Sequence, residues 1–277
     1  MSSVAGPKPA RRRRARAATV ALAVAVCATA TTSGAGAIVN GKASEERYPF
    51  MATIPLSIGT IRDDGTCGAS LIDPQWVLTA AHCVDPASGA TPDGIVRIGS
   101  PHRRSGGTVR SIARTVVHPG FRLGEGEGPN RNDVALVRLD RPVVEQPVRI
   151  AARPGPPGTP TRLLGFGTVV DTRDYKAMKF PDRLRELEAR RGADAECAPG
   201  YAGETRLCTI SRVPHAMACF GDSGGPQLQR GRDGRWELVG VTSGPGAPDL
   251  PCAAGPGLYS SVPAYAGWIR ETVGGRG

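Results

Sequence analysis

The chain has 277 residues, 40% hydrophobic and 5% aromatic, with 35 basic and 25 acidic side chains. Six of the basic residues and none of the acidic ones fall in residues 1–37, so the formal charge of +10 drops to +4 for residues 38–277. That small surplus, with no basic stretch interleaved with aromatics, speaks against a nucleic-acid partner.

The first predicted element is an export signal over residues 1–37. Arg11, Arg12, Arg13, Arg14 and Arg16 form a basic head, an Ala/Val-rich run follows over residues 17–28, and Ala35-Gly36-Ala37 is an A-x-A cleavage pattern. The apolar run is shorter than the ~20 residues that span a bilayer, so no stable membrane anchor is expected. The arginines suit a twin-arginine exporter as well as the general one. Cys27 as a lipid attachment site is disfavoured by the bulk of Val26 before it. The predicted location is extracellular.

Cutting after Ala37 removes Cys27 and leaves six cysteines: Cys67, Cys83, Cys197, Cys208, Cys219 and Cys252. An even number in an exported chain points to disulfides, and six cysteines allow about fifteen connectivities. A zinc site is disfavoured, because there is no C-x-x-C pair and the four histidines are scattered. Four Lys against thirty-one Arg, in a chain rich in Ala, Gly and Pro, fit a GC-rich genome and a bacterial secreted protein.

The 240 residues after the signal suit a pair of β domains or a single α/β domain. In chain order, SLIDPQWVLTA (70–80), DVALVRL (133–139), RLLGFGTVV (162–170), WELVGVTS (236–243) and GLYSSV (257–262) read as short strands separated by Gly, Pro and Asp. Residues 147–160, which include RPGPPGTP, are the linker candidate. Residues 182–191 look helical by propensity, and residues 262–273 suit a terminal helix.

The motif GDSGGP at residues 221–226 places Ser223 between small neighbours, where a backbone turns tightly and a substrate can approach. A serine is a weak nucleophile until a base takes its proton. The motif also satisfies the G-x-S-x-G pattern of α/β-hydrolases, whose histidine follows the serine. Here His82, His102, His118 and His215 all precede Ser223, which excludes that arrangement for a working enzyme. His82, in LTAAHC, sits beside a cysteine at the end of an apolar run, and Asp133, in NDVALVRL, opens a strand.

IVNG (38–41), TAAHC (79–83), NDVALVRL (132–139) and GDSGGP, in that order, resemble the chymotrypsin/trypsin family of serine proteases. The likeness runs from Ile38 to the GWI near the end. It implies two six-stranded antiparallel Greek-key barrels and a C-terminal helix. The first barrel is then expected at 38–146, the linker at 147–160 and the second barrel at 161–277. It also replaces the helix at 182–191 with a strand near 184–188 and a short helix before Cys197.

The family's roles map onto Ser223 as nucleophile, His82 as general base and Asp133 as the group that orients it. The backbone N–H groups of Gly221 and Ser223 form the expected oxyanion hole, and Ser243 the hydroxyl that supports Asp133. The implied disulfides are Cys67–Cys83, Cys197–Cys208 and Cys219–Cys252. His118 matches a structural feature, and His102 and His215 are assigned to loops. The resemblance also implies an activation pair between the amine of a freed Ile38 and Asp222. Because the cleavage pattern abuts Ile38, the signal peptidase itself is expected to make the activating cut.

Two departures bear on specificity. Trypsin-like members carry Asp six residues before the serine, whereas this chain has Met217 followed by Ala218. Gly257 matches a glycine that keeps the pocket open. Cleavage after Phe, Tyr, Leu or Met is therefore expected ahead of Arg or Lys. After Ser243 the chain reads Gly244-Pro245 without the usual aromatic, and Pro245 has no N–H to hold an extended peptide. Asp249 in the loop to Cys252 is the residue that would restore a basic preference. The loop SPHRRSGG (100–107) is basic, so no calcium, and no metal or cofactor, is expected. Expected partners are peptide or protein substrates and a protein protease inhibitor, for a monomeric enzyme. The alternative functions are a protease-like binding module and an esterase of the same mechanism.

Overall fold

The computed structural model describes residues 1–6, 38–58, 61–126 and 128–275. Met1–Gly34 and Ala35–Gly277 are separate units. The predicted signal, with its arginines, apolar run, Cys27 and cleavage pattern, lies outside the described residues except for residues 1–6.

Six strands build the first barrel: β1 (Met51–Ile58), β2 (Ile61–Asp73), β3 (Trp76–Thr79), β4 (Ile95–Ile98), β5 (Thr108–Val117) and β6 (Ala135–Leu139). Six more build the second: β7 (Pro160–Gly165), β8 (Arg185–Arg191), β9 (Arg206–Ser211), β10 (Pro226–Arg230), β11 (Trp236–Pro245) and β12 (Gly257–Ser261). In the first, β1 pairs β2, then β3, β6, β5 and β4 follow, and β4 returns to β1. The second repeats that order as β7, β8, β9, β12, β11, β10 and back to β7. Every one of these pairings is antiparallel. Closure leaves no long strand edge to recruit another chain.

The apolar residues of each strand point inward. Ile54, Leu71, Leu78, Val96, Ile98 and Leu136 fill the first barrel, and Leu163, Leu187, Leu207, Val239 and Tyr259 fill the second. Each fully buried Leu or Ile contributes on the order of 1.5–3 kcal/mol. The run read as RLLGFGTVV is strand only as far as Gly165, and the backbone then turns. The segment of helical propensity forms β8, because its pairing with β7 and β9 overrides local preference. A short 3-10 turn, Asp194–Glu196, precedes Cys197.

Residues 38–43, grouped with the first barrel on sequence, pair instead with the second. Lys42–Ala43 lies against Arg185 and Glu186, and Val39 pairs with Met217. Within the linker, Arg149–Ile150 adds a short parallel pairing to β11. After β12 the chain makes a 3-10 turn, Val262–Tyr265, and then helix α1 (Ala266–Gly274). Tyr265 and Trp268 pack edge-on against the His118 ring at 5.2 and 5.0 Å. The helix thus fastens the end of the second barrel onto the first. Burial lowers the pKa of His118, and its Nδ1 accepts the Gly120 N–H at 3.1 Å, so a neutral ring suits its packing role.

The barrels also meet through backbone alone. Gly68 on β2 donates its N–H to the Ser223 carbonyl at 2.7 Å, and a Cβ on Gly68 would lie 2.5 Å from the Gly225 Cα. No flexible side chain is there to give way. In a Ser223→Ala background, which prevents self-digestion, Gly68→Ala should destabilise the fold by about 1–3 kcal/mol in thermal unfolding. An unchanged melting temperature would show that the barrels meet elsewhere.

Candidate active site

The cleft between the barrels is built from the ends of their strands. β3 ends at Thr79, and the chain enters the 3-10 turn Ala81–Cys83. A disulfide from Cys83 to Cys67 on β2 holds that turn. β6 pairs with β3 so that Ala135 faces Thr79, which carries Asp133, just ahead of β6, up to His82. The carboxylate is buried, with 1% of Asp133 exposed. Its Oδ2 receives His82 Nδ1 at 2.7 Å and Ser243 Oγ, from β11, at 2.6 Å. Its Oδ1 receives the His82 backbone N–H at 2.9 Å.

These contacts decide the electrostatics. For Asp133, burial works to raise the pKa, but His82 and the donated hydrogen bonds outweigh it and hold the carboxyl below its ordinary value. For His82, burial works to lower the pKa, but the charge and hydrogen bond of Asp133 outweigh that and raise it. With Nδ1–H given to Asp133, Nε2 is left as the ring's acceptor.

Ser223 lies in the turn before β10. Among the described residues no hydrogen bond joins its hydroxyl to His82, and the N–H groups of Gly221 and Ser223 have no acceptor. Gly221 has a φ of 92°, and a Cβ there would meet a Phe180 ring carbon at 2.9 Å and the Gly167 Cα at 3.0 Å. Only glycine suits that backbone and that space.

Asp222 points away from the cleft into the second barrel. It is 1% exposed, and its carboxylate accepts the Cys219 N–H at 2.9 Å and the Gly167 N–H at 2.8 Å. No ion pair reaches it among the described residues. Burial raises its pKa from 3.8 to about 7, against the pull of the two N–H groups. Two glycines make the space: a Cβ on Gly165 would lie 1.9 Å from Asp222 Oδ1, and one on Gly167 2.4 Å from Cγ. Sequence reasoning passed over both. Their signal is the spacing of two glycines about Phe166, where a strand would otherwise continue. The Ile38 side chain is fully buried in the cluster with Met217, Val239 and Tyr259, and Ile38 has a φ of 54°.

A cavity of ≈ 790 Å³ opens beside Ser223 and His82. Met217, Ala218, Ser243, Gly244, Pro245 and Gly257 all line it. Met217 is a buried part of its lining, and a Cβ on Gly257 would lie 3.1 Å from the Met217 sulfur. The two carboxylates of the lining, Asp171 and Asp249, are exposed and belong to the rim. Asp171 is engaged by the N–H groups of Cys252 and Ala253 at 2.9 and 3.1 Å. The wall is further tied by disulfides Cys219–Cys252 and, behind it, Cys197–Cys208. His102 and His215 take no part. His102 bonds Asp182 at 2.5 Å, and the His215 carbonyl accepts from Asn40.

The family model described as Trypsin matches residues 38–269. The chain belongs to the trypsin family. A trypsin of Sarcophaga bullata is 31% identical over 252 residues, covering 86% of this chain and 89% of that one. Kallikrein-15 of Saguinus oedipus is 32% identical over 225 residues, covering 75% and 81%. The solved structure of neuropsin, a serine protease expressed in the limbic system of mouse brain, superposes with a TM-score of 0.65. It is 28% identical and covers 81% of this chain and 94% of its own. Membership of that family, with trypsin and kallikrein relatives, supports a serine endopeptidase. These relatives are eukaryotic, so they give no support to the bacterial origin read from composition. Trypsin-family proteins act on peptide or protein substrates, and among the described residues no helix is long and apolar enough to cross a membrane.

The raised pKa of Asp222 makes a stability prediction for the chain that runs unbroken through Ala37 and Ile38. A carboxyl with a folded pKa above its unfolded value stabilises when protonated, and that contribution is lost as pH rises from 3.8 through about 7. At roughly 1.4 kcal/mol per unit this is on the order of 4 kcal/mol. Urea unfolding of the uncleaved Ser223→Ala protein should lose that much between pH 4 and 8 relative to its Asp222→Asn counterpart. Parallel pH profiles for the two would contradict the buried, unpaired carboxyl.

Proposed function

We propose that the protein is an exported endopeptidase that cleaves after apolar residues by way of an acyl-enzyme. The observation that carries the specificity is Met217, buried in the lining of the cavity where a charged side chain would need a counter-ion. Burying a cation there without a partner is costly, whereas Phe, Leu or Met leave no charge or hydroxyl unpaired on leaving water, and Tyr has only its hydroxyl to satisfy.

The chemistry follows from the residues around that cavity. Ser223 Oγ attacks the substrate carbonyl while His82 Nε2 takes its proton. Asp133 keeps Nδ1–H in place and stabilises the imidazolium that forms. The oxyanion is received by the free N–H groups of Gly221 and Ser223, where losing one such donor typically costs about 10²–10³ in turnover. His82 then gives its proton to the departing amine, and water repeats the sequence on the acyl group. Pro245 offers no N–H, so the strand that would hold an extended substrate has one donor fewer on its acyl side.

Activation rests on Asp222. Residues 1–37 are proposed to be a secretory signal whose removal after Ala37 frees the Ile38 amine. That ammonium pairs with Asp222 and orders the turn holding Gly221 and Ser223. Support comes from a carboxylate buried without a cation and an Ile38 side chain already seated in the second barrel. No separate activating protease is then needed. The secreted monomer emerges competent, and a protein inhibitor is the expected natural check on it.

A mixed peptide library digested by the purified enzyme, with Ser223→Ala as control, tests the reading. Cuts after Phe, Tyr, Leu or Met that vanish in the control are expected. Cuts confined to Arg or Lys would overturn the apolar floor and point to Asp249 on the rim.

A further inference from the structure

Asn130 does not belong to the family motifs, yet its side chain reaches the centre of the site. Its Nδ2 lies 3.2 Å from Asp133 Oδ2 and 3.5 Å from His82 Nδ1. The amide cannot be turned round, because its Oδ1 accepts the Gly124 N–H at 2.9 Å, which leaves the NH₂ facing the carboxylate. The backbone is held too: its carbonyl accepts from Arg206 Nη1, reaching over from β9, at 3.4 Å. Asp133 Oδ2 therefore receives three donors, His82 Nδ1, Ser243 Oγ and Asn130 Nδ2. A carboxylate oxygen has about two lone-pair sites, so the amide competes with the imidazole for the same electrons.

We propose that Asn130 is a positioning residue of the triad, one that draws part of the Asp133 charge away from His82 and keeps the imidazole free to accept a proton. The inference rests on the triad reading given above. Two consequences follow from the geometry. A donor shared with Asp133 weakens the pull that raises His82's pKa, so the base stays unprotonated to lower pH. The amide also tests the tautomer. It can donate to His82 Nδ1 only when that nitrogen has lost its proton, the form in which Nε2 cannot act as base. While Nδ1–H points at Asp133, the amide has only the carboxylate to bond.

The other groups facing the pair are few. Ser243 Oγ donates to Asp133 Oδ2, and Ser260 Oγ donates to the Asp133 carbonyl at 2.9 Å. Tyr265 feels the Asp133 charge, and its hydroxyl donates to Asn132 Oδ1 at 3.2 Å. Arg206 stands behind Asn130, with Arg131 beside it repelling its charge.

The test is the pH profile of kcat/KM for the enzyme beginning at Ile38. Asn130→Ala should move the acid limb up by about half a pH unit. Asn130→Asp, which sets a second negative charge beside Asp133, should move it up by about one unit or more. Asp133→Asn is the control for the triad itself. Should it leave activity intact, the triad reading fails and this inference with it. An acid limb of Asn130→Ala that coincides with the parent's, whatever happens to kcat and whatever Asn130→Asp does, would reduce Asn130 to a loop-packing role and overturn the proposal. If a variant turns over too slowly to profile, the His82 Nδ1–H proton resonance is followed against pH in the Ser223→Ala background. An upward-shifted titration supports the proposal, and an unshifted one overturns it.

Discussion

A carboxylate buried without a counter-ion among the described residues is the constraint on which the proposed activation depends. Asp222 sits in the core of the second barrel, between two glycines with no room for a side chain, and among the described residues takes hydrogen bonds only from backbone. Left so, it prefers its proton, with a pKa raised to about 7. A buried ion missing its partner is strongly destabilising, so a cation delivered there has large leverage. In the proposed activation that leverage acts one peptide away, on the turn that presents Gly221 and Ser223. In the same proposal it reaches the pocket as well, because Val39, next to Ile38, pairs with Met217, which lines the cavity.

The two barrels divide the work. The first supplies His82 and Asp133 from adjoining strand ends, locked by the Cys67–Cys83 disulfide. The second supplies Ser223, Ser243 and the pocket walls. What aligns the halves is close backbone approach at Gly68 and Gly225, the bond from Ser243 to Asp133, and the helix strapped over His118. The first half of the site is held by contacts that do not involve Ile38. The second contains the part that a buried charge can order.

Much of this was legible in the sequence because it is local. The strands at 133–139, 236–243 and 257–262 announce themselves by apolar runs between Gly, Pro and Asp. The order of histidine, aspartate and serine along the chain was enough to reject an α/β-hydrolase. Residues 182–191 show the opposite case, where charged, helix-favouring side chains form β8 because strands on both sides claim their backbone. Gly165 and Gly167 were invisible as site residues, since their role is the absence of a Cβ next to a carboxylate 55 positions or more away. Asn130 was missed for a similar reason. Three residues before Asp133, it reads as a loop residue until Gly124 fixes which way its amide points. Met217, by contrast, was legible as a departure from a pattern, and its burial in the cavity lining is what the structure adds.

The account stands or falls on the amine of Ile38. The most direct measurement compares two purified chains, one beginning at Ile38 and one at Ala37, on the same peptide substrate, with Ser223 titrated in both. The account predicts full turnover from the first and loss of at least two orders of magnitude in the second, recovered when Ala37 is removed. Equal turnover from both would mean that Asp222 needs no ammonium, and that the turn carrying Ser223 is ordered by something else.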